Sequence, residues 1–117
     1  MSLPVPTEEV EQMALVQYLE LKGHKFTAIP NSTYTTSWKQ KAKNKATGLR
    51  AGLPDLICIV NDNVVWIELK RNKGGVLSKH QKEWIKALEQ AGQTVIVAKG
   101  AEQAIKFIEN LTKGSVS

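Results

Sequence analysis

Two acidic residues and a lysine lie at one end of an otherwise apolar hairpin predicted for residues 52–70. Two runs rich in β-branched and aromatic residues flank three turn-forming residues, Asn61 to Asn63, which is a strong signal for antiparallel pairing. Folding the chain about Asp62 brings Asp55 nearly opposite Glu68 across the ladder. The two-residue period of a strand then puts Glu68 and Lys70 on one face. Burying two carboxylates together is costly unless a cation joins them.

These residue types are suited to metal-assisted chemistry on a phosphate. Two carboxylates and a main-chain carbonyl, here that of Leu69, provide the oxygen ligands that Mg²⁺ or Mn²⁺ prefers. Lys70 can hold or deprotonate an attacking water, or stabilise the charge that develops on a phosphate. The structural alternative is that Asp55 is a turn residue after Pro54, and that Glu68 and Lys70 form a solvated edge pair. The Gly-Leu-Pro sequence before Asp55 and the apolar runs around each charge favour a site.

Three motifs in this part of the chain resemble a known family. Pro54-Asp55 followed by Glu68-Leu69-Lys70 is similar to the signature of the PD-(D/E)xK nuclease superfamily. Together with residues 52–56 and the Leu77-Ser78-x-x-Gln81 sequence, it resembles the VRR-NUC branch in its small, stand-alone form. The resemblance extends from about residue 7 to residue 99. It implies a restriction-endonuclease-like α/β fold, with an αβββαβ core, a mixed sheet and a closing C-terminal helix.

An acidic residue on the first helix is a further candidate ligand. Thr7 is a good N-cap for a helix that continues to about Lys22. Glu8 and Gln12 follow helical spacing along one stripe with the apolar residues after them, although acids in a first turn are also explained by the helix dipole. The resemblance implies a metal-binding acid on this helix in a Glu-x-x-x-Gln pattern, which Glu8 and Gln12 match. Glu11 is the alternative, one turn further on.

The segment from Asn31 to Ala51 is predicted to be a polar, basic loop. No acid occurs between Glu20 and Asp55, whereas lysine and arginine are frequent there. Tyr34 and Trp38 could stack on a splayed base while the cations meet phosphates. A solvated charge run without function is the alternative. The candidate nucleic-acid contacts in this loop are Lys39, Lys41, Lys43, Lys45 and Arg50.

A second basic turn follows the hairpin and leads into a helix predicted from Ser78 to Ala91. Arg71 and Lys73 in this turn could contact a phosphate backbone, and His80 contacts phosphate or solvent. Gln81 completes a capping box with Ser78, which explains it structurally. The alternative is that Gln81 reaches into the active site to orient Lys70, water or the scissile phosphate, and the resemblance favours this role.

The remaining elements complete a mixed sheet with helices on both faces. A short strand is predicted within residues 24–30, an inner strand from Thr94 to Ala98, and a closing helix from Ala101 to Leu111. We expect one domain over residues 1–117, with flexible ends at 1–6 and 112–117. The fold class is therefore α/β.

Composition sets the cellular context that we expect. The 117 residues are 42% hydrophobic and carry a net charge of +5, a modest bias toward polyanions. The single cysteine, Cys58, fits a small buried hydrophobe. No apolar run approaches the length of a membrane span and no signal peptide is visible. We expect a soluble, cytoplasmic protein of a bacterial cell or a phage-infected host, with no membrane partner.

The hypothesis from the sequence is a Mg²⁺- or Mn²⁺-dependent DNA endonuclease. Asp55, Glu68, the Leu69 carbonyl and Glu8, directly or through water, would hold the metal, while Lys70 and Gln81 would position or activate the water. Analogy with the stand-alone family members implies a homodimer that cleaves branched DNA, as Holliday-junction resolvases do. The alternatives are a phage-type nuclease acting on flaps, single strands or linear duplex, and a non-catalytic DNA-binding module.

Overall fold

The structure, a computed structural model, describes residues 4–30 and 35–114. This part of the chain contains four helices and four strands. In order they are α1 (Glu8–Lys22), β1 (Lys25–Ala28), α2 (Trp38–Ala46), β2 (Leu56–Val60), β3 (Asn63–Lys70), α3 (Lys79–Gln90), β4 (Thr94–Lys99) and α4 (Ala101–Gly114).

The four strands form one mixed sheet in the order β1-β2-β3-β4, as expected for the predicted fold. The first three strands pair antiparallel and β4 pairs parallel with β3. In the hairpin, Val60 pairs with Asn63, so the turn consists of Asn61 and Asp62, with φ angles of 49° and 65°. Positive φ at both positions is typical of a type I′ turn, whose twist matches that of the flanking strands. Asn63 therefore belongs to the strand rather than to the turn.

The prediction that Thr94–Ala98 is an inner strand is wrong. Within the described residues β4 lies at the edge of the sheet, with β3 as its one neighbour. Its apolar residues have a different cause, because α4 and α3 both pack against this strand. An apolar run shows that a strand is covered on its faces and does not show whether both of its edges are paired.

Helices α1 and α4 pack against each other and cover one face of the sheet. Leu15 and Leu19 of α1 are fully buried, and Ala104 and Ile108 of α4 join them. The strands contribute the residues that share this face, namely Leu56, Cys58, Val60, Val65, Ile67, Leu69 and Ala98. Cys58 is a buried free thiol, as predicted. In residues 4–30 and 35–114, every helix is too short or too polar to cross a membrane.

The prediction of a loop throughout residues 31–51 is wrong for its middle part. Residues 38–46 form α2, capped by the Ser37 hydroxyl, which accepts a hydrogen bond from the Gln40 N–H at 3.2 Å. Lysine, glutamine and alanine favour helix, but without an apolar stripe the segment lacks the period by which a helix is recognised. Tyr34 lies outside the described residues.

The observed helix boundaries agree with the predicted ones at both ends of α1 and at the start of α3. Thr7 caps α1, Gly23 ends it with φ of 74°, and Ser78 caps α3. The last helix continues to Gly114, three residues past its predicted end at Leu111. The assignment of residues 1–6 and 112–117 as flexible ends stays a prediction.

Candidate active site

The start of β2 and the end of β3 bring the two hairpin carboxylates together. Leu56 pairs with Ile67, so the same register continued by one step sets Asp55 opposite Glu68. Asp55 Oδ2 accepts a hydrogen bond of 2.7 Å from the Leu69 N–H. The main-chain carbonyl of Asp55 accepts another, of 2.8 Å, from the Ile29 N–H that follows β1. Asp55 is thereby fixed through both its side chain and its backbone.

The Leu69 carbonyl faces the same side as the Asp55 carboxylate. In a β-strand the N–H and C=O of one residue project toward the same neighbour. Because the Leu69 N–H points at Asp55, its carbonyl also projects to that side. The next carbonyl, that of Lys70, points the opposite way and accepts a hydrogen bond of 2.9 Å from the Gly100 N–H.

Glu68 is a buried carboxylate with incomplete hydrogen bonding. Its exposed fraction is 1%. Oε2 accepts a hydrogen bond of 3.2 Å from Gln81 Nε2, whereas Oε1 of the ionised group has no donor among the described residues. Burial, followed by the charge of the neighbouring Asp55, raises the pKa of Glu68 to about 8. When both carboxylates are ionised, their negative charge is not fully balanced by neighbouring groups, and a bound cation would balance it.

Lys70 joins the strand to the first helix. Its side chain is 10% exposed, and Nζ lies 3.9 Å from Glu68 Oε2 and 3.9 Å from Glu8 Oε1. Glu68 and Lys70 thus share a face of β3, as the strand period requires. The ammonium group lies between a buried carboxylate and a partly exposed one.

The two candidate acids of α1 occupy different places. Glu8 lies beside Lys70, whereas Glu11 Oε2 accepts a hydrogen bond of 2.7 Å from the Ala101 N–H at the start of α4. Gly100, which precedes α4, has no side chain to cap it, and a Cβ there would collide with Glu11. Glu11 therefore has a structural task, and Glu8 is the acid that the fold leaves near the site.

The two explanations weighed for Gln81 are compatible. Its Oε1 accepts a hydrogen bond of 2.9 Å from the Ser78 N–H, and its own N–H donates to Ser78 Oγ at 3.2 Å, which is a complete capping box. The amide nitrogen that remains free donates to Glu68. The cap thereby fixes which end of the amide faces the carboxylate.

The donor set fits a hard divalent cation. Two carboxylates and a backbone carbonyl converge, and one buried carboxylate oxygen still needs a partner. The described residues contain no group of three His, Cys, Asp or Glu side chains able to hold a metal by themselves. Glu8 would therefore contribute through a bound water, and oxygen ligands with retained waters are what Mg²⁺ and Mn²⁺ favour.

A groove of about 500 Å³ opens beside these residues along α1. Glu8, Gln12 and Asp55 line it together with Met13 and Val16. Met13 could not be predicted as a groove residue, because its helical spacing is equally that of a core residue, yet its exposed fraction is 58%. The groove gives the site open access from the α1 side.

The predicted cationic contacts fall into separate groups. Lys45, Arg50 and His80 line one cleft of about 540 Å³ with Trp84. Near this cleft, Gly52 passes α3 so tightly that a Cβ would lie 2.7 Å from the His80 backbone. The other predicted contacts, on exposed positions of α2 and of the turn after β3, are Lys39, Lys41, Lys43, Arg71 and Lys73.

A hairpin that ends in Asp and Glu-x-Lys, set in a mixed sheet between helices, is consistent with a restriction-endonuclease-like fold and with the class of nucleases. A sequence model of the VRR-NUC domain matches residues 5–102, and the chain belongs to this family of nucleases. A solved "VRR_NUC domain protein" is 26% identical, with a TM-score of 0.76 over 95% of this chain and 92% of that chain. A second structure, "VRR_NUC domain", is 21% identical with a TM-score of 0.65, over 89% and 97% of the two chains, and shows the fold alone. No curated protein matches the chain.

These comparisons confirm the predicted family and fold. They also support a nuclease, with DNA as the substrate that a nuclease domain implies, from a family that generally uses divalent metals. The metal identity, branched substrate, homodimer, phage or bacterial source and cytoplasmic location stay predictions, as do the roles assigned to individual residues.

Proposed function

We propose that this protein is a Mg²⁺- or Mn²⁺-dependent DNA endonuclease that hydrolyses phosphodiester bonds. The observation that carries the proposal is the buried Glu68 carboxylate. It has Asp55 beside it and Lys70 Nζ at 3.9 Å, and the part of the chain that the structure describes offers no donor to one of its oxygens. A carboxylate pair in this state is costly to a protein with no cation to bind. Because the chain belongs to a nuclease family, the reaction that we propose for this cation is phosphodiester hydrolysis.

Each residue has one task in the proposal. Asp55, Glu68 and the Leu69 carbonyl hold the cation, with Glu8 contributing through water. When bound, the metal polarises the phosphate and offsets the charge that develops on its oxygens. The Lys70 ammonium holds and orients the attacking water, whose proton passes to bulk solvent as the water oxygen bonds to phosphorus. The bond from phosphorus to the leaving oxygen then breaks, and that oxygen takes up a proton from solvent. Gln81 keeps the Glu68 carboxylate oriented toward the cation.

The experiment compares cleavage of a labelled four-way junction and its matching linear duplex in Mg²⁺, Mn²⁺ or EDTA. We expect metal-dependent products from the wild type and none from Glu68→Ala, with DNA binding retained. The matched control is Glu102→Ala, because Glu102 is an exposed acid of α4 paired at 3.5 Å with Lys106. Cleavage that persists in Glu68→Ala contradicts the assignment of the site.

We extend the proposal to branched DNA cut by a homodimer, on the basis of the family resemblance. Two active sites related by twofold symmetry would make paired nicks in a junction. Preferential cutting of the junction and a dimer in sedimentation would support this extension. Equal cutting of duplex or flap would leave the catalytic site in place and remove the junction preference.

A non-catalytic DNA-binding module is the second candidate, supported by the lysine-rich α2. It would bind DNA, show no cleavage in any metal, and respond chiefly to changes at Lys41, Lys43 or Lys45, with a shallower salt dependence.

A further inference from the structure

Helix α2 stands apart from the rest of the domain. Among the described residues no other helix or strand packs against it, and none of its nine residues is buried. Trp38, its first residue, has an exposed fraction of 83%, and Lys41 Nζ lies 5.4 Å from the centre of its ring. A large aromatic side chain in water at the end of a lysine-rich helix is an unusual use of surface.

The residues of α2 are sorted around its axis. At about 100° per residue, Trp38 and Ala42 lie in line on one side of the helix. Two rows of lysines flank this strip at i and i+4 spacing, Lys41 and Lys45 on one flank and Lys39 and Lys43 on the other.

The opposite side of α2 is polar, and Asn44 on this side is the one half-buried residue of the helix. Gln40 Nε2 donates a hydrogen bond of 2.6 Å to Asn44 Oδ1. The Asn44 carbonyl accepts one of 2.8 Å from the Leu49 N–H, where the chain leaves the helix. The strip of Trp38 and Ala42 lies on the other side of the helix, and both of its residues are exposed to solvent.

The charges of α2 oppose helix formation unless an anion is present. Each lysine row contains a like-charge pair at i and i+4, and the first turn has no acid. Such pairs destabilise a helix, and a helix this short is marginal without tertiary packing. A polyanion that contacts both rows would remove the repulsion and supply the missing packing.

We propose that α2 docks in the major groove of duplex DNA, with Trp38 and Ala42 toward the base edges and a lysine row on each flanking phosphate backbone. The major groove is about 12 Å wide and admits one α-helix. Apolar side chains in the groove contact base edges and thymine methyl groups, whereas lysines fix position through phosphates. The proposal depends on the proposed function for one thing only, which is that DNA is the ligand.

The C-terminal end of α2 connects this docking surface to the candidate active site. Lys45 lines the cleft that it shares with Arg50 and His80, and His80 immediately precedes Gln81 on α3. Gln81 in turn contacts Glu68. The C-terminal end of α2 thus reaches a cleft whose α3 residue, His80, is next in sequence to the residue that contacts Glu68.

The first test compares two variants with the same change of charge on the same helix. Ala42→Glu puts a carboxylate in the strip, whereas Gln40→Glu puts one on the opposite side, and glutamate is a good helix former at both positions. Binding to a fluorescent linear duplex is measured by anisotropy in EDTA, so that no cleavage occurs. We expect Ala42→Glu to weaken binding about tenfold or more, and Gln40→Glu by roughly threefold at most.

Two results of this comparison would overturn the proposal. Equal losses would show that α2 acts only through net charge, and unchanged binding in both variants would remove α2 from the interface.

A second test examines the two lysine rows. Two double variants are compared, Lys39→Gln with Lys43→Gln and Lys41→Gln with Lys45→Gln. Each should reduce the magnitude of the slope of log affinity against log salt concentration by roughly 2, because each phosphate contact contributes about 0.9. A change on one flank alone would place α2 along a single strand and overturn insertion into a groove.

The groove itself is identified by competition. Methyl green, a major-groove ligand, should displace the protein from duplex, and netropsin, a minor-groove ligand, should not. The reverse result overturns the assignment. All of these measurements are made without metal, so they separate this inference from the proposed function. A protein that binds DNA through α2 but never cleaves it would support the inference and refute the proposed function. Cleavage and binding that are unchanged in the α2 variants would support the proposed function and refute the inference.

Discussion

The carboxylate site and α2 are held in place in contrasting ways. Asp55, Glu68 and Lys70 are fixed by contacts from three different elements, with hydrogen bonds of 2.7 and 3.2 Å and two ion pairs at 3.9 Å. Helix α2 is fixed mainly by its own hydrogen bonds, its Ser37 cap and the residues that join it to the chain. The carboxylate site is therefore held rigidly by packed elements, whereas α2 is an exposed surface with few contacts to the rest of the described chain.

Catalysis and DNA recognition require different degrees of rigidity from the residues that carry them. A metal and an attacking water need ligands held to a fraction of an ångström, which only packed elements can provide. Contact with a phosphate backbone tolerates movement, because its energy is spread over several exposed cations. Changes at the site should therefore act on cleavage, and changes in α2 on binding.

The largest effect is expected at Lys70. Lys70→Ala should reduce metal-dependent cleavage about 100-fold or more, the range typical for loss of a group that moves a proton. DNA binding should change little, because Lys70 is buried. Single-turnover cleavage with saturating enzyme separates the two effects.

Lys106→Ala is the control for Lys70→Ala, since Lys106 is an exposed lysine in a helical ion pair. Two results would contradict the contrast between a catalytic site and a binding surface. One is an equal loss of cleavage in both variants, and the other is a Lys70→Ala variant whose cleavage falls only because its affinity for DNA falls.

Gln81→Glu tests whether the Gln81 side-chain amide supports metal binding at Glu68. The variant keeps an oxygen for the Ser78 cap but sets a second carboxylate against Glu68 Oε2 in place of the donor at 3.2 Å. We expect cleavage to fall about tenfold or more at low metal concentration and to recover in part as metal is raised.

Ser78→Ala is the matched control for Gln81→Glu. It removes the cap alone, with a cost of about 1 kcal/mol in stability, and should leave the metal requirement unchanged. A similar metal requirement in both variants would mean that Gln81 serves α3 only.

The burial of Glu68 predicts how the metal-free protein responds to pH. Its pKa is raised from 4.5 to about 8 in the folded state, so between these values the folded protein keeps a proton that the unfolded chain has released. The Glu68 contribution to stability is therefore present below pH 4.5 and is lost as pH rises through about 8. Denaturant unfolding in EDTA at several pH values measures this slope.

Glu68→Gln tests the origin of that slope. The variant should flatten the pH dependence and be more stable than the wild type at pH 8, because a neutral amide has no buried charge to compensate. An unchanged slope in Glu68→Gln would assign it to other groups.

The same contrast explains what could be predicted from the sequence. The hairpin is short-range, so the turn at Asn61 and Asp62 and the period of β3 set the position of Asp55 relative to Glu68 and Lys70 before any tertiary structure is known. The choice between Glu8 and Glu11 could not be made, because it depends on the start of α4, about 90 residues away. Helix α2 was missed for the opposite reason, since it has no buried face and hence no apolar period.

The smallest effect is expected for the free energy of unfolding when α2 is disrupted. Ala42→Pro breaks the middle of α2 without altering its charge, and proline costs a helix interior about 3 kcal/mol. Because no other helix or strand in residues 4–30 and 35–114 packs on α2, that cost stays local, and urea unfolding should change by less than about 0.5 kcal/mol. Leu15→Ala, in the fully buried stripe of α1, should cost about 2 to 5 kcal/mol in the same measurement. If Ala42→Pro instead destabilised the whole domain by more than about 1 kcal/mol, α2 would belong to the cooperative fold, and its availability to a DNA groove would have to be abandoned.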